Sequence, residues 1–557
     1  MDKPVARALL ESFLQRIERV PETGQLRLPG PVSPGEFGAL TAALEVLGGA
    51  VTSEPVLSAR ISHVLRDRAE RLNIDSMKEQ SSMRRNVVLC LDFGTAMSKA
   101  AATRDGKKAL IALPVGRQAG DEANPFSLRS SLYISNSGRV WFGHDAIAKS
   151  NAESGSGRRR FDSIKQRLSQ GTLETLNSGR LDPDVNPTLV PFTNADMVLV
   201  YLAYFTDMAT SALAIDCGER YAIRRFARPC WEPARLDWAE GQLKKMLARA
   251  QVLADTFTGK WRDGIPADVL KATIDKVNDL QQSPDHLVDR GLPEPVAAAA
   301  SRVVTDEERD RGLFVVVDVG AGTSDYAAFW TEQDQKASRF KIWQIGGSVD
   351  ATAQAGDTID GFLHAMILDK AHIRQGSVDY PFAATQLGLS IRENKELLMK
   401  TGSLEIVLSN GRAVVISKEE FEKSQPMLDL ASALKDKFES SLRATHESWA
   451  NKVSSFKRQN RDEISVVLTG GGAGLAMVQA LAEGYVDLHG HRLGLRQSIA
   501  VPTWITDEYA NYVADYQRLA VAIGGAAREL PELAEEAARF GAETDGTEWV
   551  SAVDYKN

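Results

Sequence analysis

Two acidic, glycine-rich turns, far apart in the chain, constrain its fold more than any other feature. The first is Asp92-Phe93-Gly94-Thr95, directly after the run Asn86-Val87-Val88-Leu89-Cys90-Leu91. The second is Asp318-Val319-Gly320-Ala321-Gly322-Thr323-Ser324-Asp325, directly after Leu313-Phe314-Val315-Val316-Val317. Short apolar runs bounded by turn residues read as buried strands. Glycine lets backbone approach a ligand closely, and successive exposed N–H groups form an anion-binding concavity. A carboxylate at each strand end is a hard oxygen donor suited to hydrated Mg2+. A third turn, Thr469-Gly470-Gly471-Gly472-Ala473-Gly474, follows Ile464-Ser465-Val466-Val467-Leu468. Singly, each turn is also an ordinary strand connection. Together they point to two half-sites closing on one phosphorylated ligand with a metal ion, and so to two similar lobes with a cleft between them.

The bulk of the sequence sets the class. The chain has 557 residues, 43% hydrophobic and 25% charged, as soluble globular chains do. Its formal net charge of −8 gives no global case for nucleic acid. The basic cluster Arg158-Arg159-Arg160 reads as a solvated loop. Cys90, Cys217 and Cys230 fit no metal spacing, and an odd count argues against a disulfide framework. Cys90, inside an apolar run, reads as core. No uninterrupted apolar stretch of bilayer length stands out, and the amino terminus lacks a signal-peptide core. A cytoplasmic protein with no membrane partner is expected.

Apolar periodicity divides the chain. Residues 1–72 read as three amphipathic helices: Ala6 to Val20, one capped by Ser33-Pro34-Gly35-Glu36, and one from Ser53 to Leu72. Residues 73–85 read as a linker. From Asn86 the pattern is α/β, strands alternating with helices. The expected bodies are 86–305 and 306–530. Within the first, about 236–291 is read as an inserted helical hairpin (Leu236 to Phe257, Val269 to Leu280). A last helix, Leu530 to Phe540, opens a C-terminal segment over 531–557.

The order of the three turns resembles the actin-like ATPase superfamily, and within it the ATPase domain of DnaK-type heat-shock chaperones. Asp92 to Thr95 looks like the first phosphate motif, Asp318 to Asp325 the second, and Leu468 to Gly474 the adenosine motif. Between them, Ser130 to Ile134 with Phe142 to Ala146 is similar to the family's early hairpin. Phe161-Asp162-Ser163-Ile164-Lys165-Gln166-Arg167-Leu168 looks like the segment carrying its catalytic lysine. Glu294 to Ala299 and Ala520 to Ala526 resemble its two connecting helices, and Ile416 to Glu422 a helix start in its second lobe. The likeness covers roughly residues 86–530. It implies a two-lobed actin-like fold, a duplicated ribonuclease-H-like ATPase with an added N-terminal helical segment. The family's client-binding β-sandwich is not expected here.

The resemblance also implies roles. Asp92 and Asp318 would orient hydrated Mg2+. Thr95, Thr323 and the backbone at Gly94, Gly320, Ala321 and Gly322 would hold the phosphates of ATP or ADP. Lys165 would offset charge at the γ-phosphate, Glu294 would touch the metal's water shell, and Asp325 would position water. Lys395, Gly470, Gly471 and Gly472 would line the adenosine end. Some positions depart from the family: Ala96 replaces a second threonine, and Gly472 and Gly474 stand where a serine and a stacking arginine are usual. Arg392 stands where a glutamate is usual, and Arg235 is off register for an arginine beyond Pro229. The leading expectation is a slow chaperone-type ATPase acting on a protein partner through its added helices. A non-hydrolysing nucleotide sensor, a small-molecule kinase and an actin-like filament protein are the alternatives.

Overall fold

In the computed structural model, the described residues are 68–78, 87–104, 110–154, 157–302, 312–334, 339–408, 410–455, 463–535 and 537, with a short backbone pairing of Glu18–Arg19 and Leu26–Arg27. The chain is mixed α/β, built on two large mixed sheets.

The first sheet begins with β1 (Val88–Asp92), β2 (Met97–Thr103) and β3 (Leu110–Leu113), successive antiparallel neighbours. A separate hairpin, β4 (Leu132–Ile134) and β5 (Arg139–Phe142), leads to a short helix, α1 (Gln166–Ser169). The long helix α2 (Asn194–Cys217) then crosses to β6 (Ile223–Arg228), which pairs parallel to β1. Thr193 and Asp196 form a capping box at the start of α2, and Gly218 ends it at φ 71°, a left-handed stop. Helix α3 (Pro233–Phe257) and a smaller helix α4 (Ala267–Asn278) lead on to β7 (Val288–Pro293), parallel to β6. The strand order is β7-β6-β1-β2-β3.

Helix α5 (Glu294–Ala300) precedes the second sheet. There β8 (Gly312–Val319), β9 (Ser324–Asp334) and β10 (Arg339–Ile345) are again successive antiparallel neighbours. A short strand, β11 (Asp350–Thr352), flanks β9. Next come α6 (Gly356–Lys370), α7 (Tyr380–Thr401), the hairpin β12 (Ser403–Val407) and β13 (Ala413–Ser417), and α8 (Gln425–Arg443). These elements share a core of their own around Leu363, Leu387, Ile416 and Leu434. Strand β14 (Glu463–Thr469) pairs parallel to β8. Beyond β15 (Tyr485–Leu488), β16 (His491–Gln497) pairs parallel to β14. The first sheet therefore runs fifth, fourth, first, second, third, and in the second β16, β14, β8, β9 and β10 repeat that order and those senses of pairing, with β15 added antiparallel outside β16.

Two helices tie the sheets together. Helix α5 follows the first sheet but rests chiefly on β8 and β9, while α9 (Tyr516–Gly525) follows the second but rests on β1 and β2. They pack on each other inside a core shared by Cys90, Ala101, Val316 and Phe329. Small residues allow this: a Cβ on Gly524 would come within 1.7 Å of the Ala297 carbonyl oxygen.

Several expectations need correction. Helix α3 lies largely within the span read as an inserted hairpin. It lies along α2 and is the crossover that parallel pairing of β6 with β7 demands. The expected helix from Leu530 to Phe540 begins as a strand, β17 (Glu532–Ala534), parallel to β10 at the sheet's free edge; residues 538–557 lie outside the described residues.

At the other end, Glu18–Arg19 is extended within the span expected to be the first helix, and 68–74 are not helical; the rest of the three helices lies outside the described residues. The expected linker starts out anchored. A helical turn at Asp75–Lys78 buries Ser76, and the Asn73 amide donates to Thr256 Oγ1. Just before it, the Glu70 amide donates to Thr273 Oγ1.

The basic cluster is only partly a solvated loop. Arg158 is 3% exposed and donates to the carbonyls of Ile134, Asp184 and Val185, Arg160 is half-buried and pairs with Asp162, and Arg159 is exposed beside Asp182 and Asp184. One described helix, α2, is long and apolar enough to cross a membrane, against the expectation of none; 83% of its most apolar window is buried inside the protein.

Candidate functional site

Each sheet delivers an acid to the same place. Asp92 ends β1, the first strand of its sheet, and Asp318 is the next-to-last residue of β8, the first strand of the other. Both are buried. Across the antiparallel ladder Asp92 faces Lys99, and Asp318 faces Asp325, so equivalent positions carry opposite charges. Lys99 Nζ donates to Asp92 Oδ2 at 3.1 Å. Asp318 accepts instead from Thr469 Oγ1, at 2.9 Å, on the parallel neighbour β14.

The turns beyond the two acids touch. A Cβ on Gly322 would lie 2.5 Å from Thr95 Oγ1, so a side chain there would separate them. The first turn is buttressed from below. Ser130 Oγ donates to the Gly94 carbonyl at 2.8 Å, and the Tyr201 hydroxyl donates to Ser98 Oγ at 2.9 Å. In the second turn the Gly320 amide donates to the Thr323 carbonyl. The third turn seals its flank: the Gly472 amide donates to the Val319 carbonyl at 2.9 Å. Gly470 is at φ 84°, and a Cβ there would meet the Val319 carbonyl at 2.4 Å and Asp318 Oδ1 at 2.6 Å. Gly471 is exposed, with open space around it.

Lys165 and Glu294 complete the cluster. Lys165, immediately before α1, is 5% exposed, and its ammonium donates to Glu294 Oε1 at the start of α5. Asp325 is fully buried; its Oδ1 accepts the Cys230 amide at 2.7 Å, and its Oδ2 has no protein partner. Thr95, Lys165, Gly322 and Thr323 open onto a cavity of about 280 Å³ whose other walls include Trp231, Glu232 and Arg235.

The electrostatics follow from this crowding. Four carboxylates are buried together with two lysines, and three of them, Glu294, Asp318 and Asp325, hold their protons to higher pH. Burial, then Asp325, Asp318 and Asp92, push Glu294 up to about 8 despite Lys165. Burial, then Asp325 and Asp92, push Asp318 up to about 6, against the pull of Thr469 and Lys99. Asp325 is raised by burial, and its bond from Cys230 tempers the rise. Burial opposes the charge on Lys165, but Glu294, Asp92 and Asp325 hold its ammonium above the ordinary lysine value. The Cys230 thiol is driven well up by burial, and Asp325 adds to this, so it stays protonated.

The structure thus gathers Asp92, Gly94, Thr95, Lys165, Glu294, Asp318, Gly320, Ala321, Gly322, Thr323 and Asp325, with Gly470 and Gly472 against them. Lys395 lies beside the second turn, but it is engaged. It pairs with Asp360 at 2.7 Å and donates to the Gly356 carbonyl. Arg392 is likewise held, by Asp357 at 2.9 Å. Arg235 donates to the carbonyls of Leu168, Ser169 and Gly171, so it braces α1 from below. Among the described residues, no three His, Cys, Asp or Glu side chains converge as a ready metal cluster.

Sequence reading missed Lys99, Thr469 and Asp357. For Lys99 a signal existed: it stands as far beyond Asp92 as Asp325 stands beyond Asp318. No protein-family model matches this chain, and no curated protein matches it.

Proposed function

We propose that this chain is a two-lobed actin-like ATPase of the DnaK chaperone type, which binds Mg·ATP between its sheets and hydrolyses it slowly to switch conformation. The observation that carries the reading is the pairing of Asp92 and Asp318. They stand at equivalent points of two sheets that share a five-strand order, and the turns beyond them meet.

The donor set suits phosphate and a hard cation. Lys99 and Lys165 supply positive charge and Thr95 and Thr323 line the cavity, while the Gly94, Gly320 and Gly472 amides are already bonded to Ser98, Thr323 and Val319. The acids exceed the lysines, and Asp325 Oδ2 has no protein partner. Mg2+, held by Asp92 and Asp318 through water, would supply charge neutralisation at the phosphate oxygens. In hydrolysis a water oxygen bonds to the γ-phosphorus as the bond to the β-bridging oxygen breaks, giving ADP and phosphate. Lys165 offsets the charge that develops there, and Asp325 orients the water and receives its proton. Glu294 holds the Lys165 ammonium in place. A protein partner would read the conformational change, provided the γ-phosphate binds the closed form more tightly.

The test is phosphate release from Mg·ATP with a parallel binding assay. Slow turnover that Lys165→Ala lowers at least about 100-fold, with binding retained, is the expected result. Binding without turnover in the unaltered protein would make it a nucleotide sensor instead. The cavity beside Thr323 favours one other reading, phosphoryl transfer to a small acceptor, with Asp325 as base. ATP consumption that depends on an added polyol or carboxylate would select it.

A further inference from the structure

We infer that Asp357, near the start of α6, is a positioning residue for Lys165, coupling closure of the cleft to the alignment of the lysine; the inference rests on the ATPase reading above. Asp357 belongs to the second half by its backbone. Its amide donates to the Ala321 carbonyl, inside the second phosphate turn, at 2.7 Å. The preceding amide, of Gly356, donates to the Gly320 carbonyl at 3.1 Å.

Its carboxylate serves the first half. Ser163 Oγ and Gln166 Nε2 both donate to Asp357 Oδ2, each at 2.7 Å, across sequence separations of 194 and 191 residues. Those two residues stand on either side of Lys165. Arg392 on α7 donates to Oδ1 at 2.9 Å and fixes the carboxylate from behind. Ser163 is held at φ 52°, a left-handed conformation that a serine keeps only when its surroundings impose it. A continuous path therefore runs from Ala321 through Asp357 to the segment that aims Lys165 at Glu294 and the phosphate turns.

This path does more than brace the protein. Each cross-gap bond joins the segment of Lys165 to α6, the helix whose first amides bond the second turn. If the halves part, both bonds break together and the lysine loses its alignment. Hydrolysis is thereby confined to the closed form, while nucleotide binding, which uses the turns themselves, is not.

A carboxylate at the start of α6 also favours the helix dipole, a purely structural benefit. The variant that separates the two roles is Ser163→Ala/Gln166→Ala, which removes the cross-gap donors and leaves Asp357 in place. It is expected to lower kcat about 10- to 100-fold with KM for ATP within about threefold and an unchanged Tm. Asp357→Ala is expected to lower kcat equally, and combining all three changes to add nothing more. A kcat within twofold of the unaltered protein in Ser163→Ala/Gln166→Ala overturns the inference and leaves the ATPase reading standing. An unaltered protein that binds nucleotide but never turns it over overturns it as well. One that neither binds nucleotide nor releases phosphate overturns both.

Discussion

Asp318 illustrates how burial among like charges strains a single residue. Its carboxyl holds a proton up to about pH 6, against an ordinary value of 3.8. The folded state therefore keeps a proton that the unfolded chain has released, and stability falls as pH rises through that window. Below it both states are protonated and nothing is lost; above it the full loss persists. Asp318→Asn removes the charge and keeps an acceptor for Thr469. Its melting temperature without ligand at pH 7 is expected to exceed that of the unaltered protein by about 2–5 °C, with the gain vanishing near pH 4. Mg·ATP binding should weaken at least about tenfold. An equal or lower melting temperature at pH 7 would show that the cluster is not strained.

On the ATPase reading, the end of the cleft assigned to the base predicts something different. Arg392 and Lys395 are occupied by Asp357 and Asp360, and Gly472 and Gly474 have no side chains. Strong rejection of the wrong base needs built-in hydrogen bonds to it. ATP and GTP should therefore bind within about tenfold of each other by calorimetry, and a wider gap would reveal a readout elsewhere.

Among the elements, the contact of α5 with α9 is the least forgiving. Replacing an internal helix glycine by alanine ordinarily favours the helix by about 1 kcal/mol. At Gly524 the sign should reverse. A Cβ there meets the Ala297 carbonyl oxygen and, at 2.5 Å, the Ser301 amide nitrogen, and backbone cannot turn aside as a side chain can. Gly524→Ala is expected to cost about 1–3 kcal/mol, read as a lower midpoint in urea.

The same scale explains what was legible in the sequence. Strands β1, β8 and β14 and the turns after them are local patterns, apolar runs stopped by Asp, Gly and Thr, and they announced themselves. Strand β17 did not, because nothing local makes it a strand; the free edge of β10 does. Helix α3 was visible as a helix, but its role as a crossover depends on β6 and β7 being parallel, which no local pattern states. Arg158 looked like a solvated charge because its carbonyl partners lie in other segments. Asp357 was invisible for the same reason: its meaning comes from Ser163 and Gln166, remote in the chain.

For the whole molecule, the reading as an ATPase makes the two sheets moving parts and the contact of α5 with α9 a broad helical junction that spans both. Small residues bring those helices close, and Ser301, at the end of α5, hydrogen-bonds the Tyr516 hydroxyl of α9 at 2.7 Å. On that reading the contact is a fulcrum, and the two acidic turns, which already touch, lie on its short arm. The unit of α6 and α7, whose core adjoins the second sheet through Leu475 and Met477, lies on the long arm, with Val378 and Phe382 exposed on it. One small angle then produces a short stroke at the phosphate and a long one at the rim. Mechanical advantage runs both ways: a weak push at the rim by another macromolecule is delivered at the turns as a large force over a small distance.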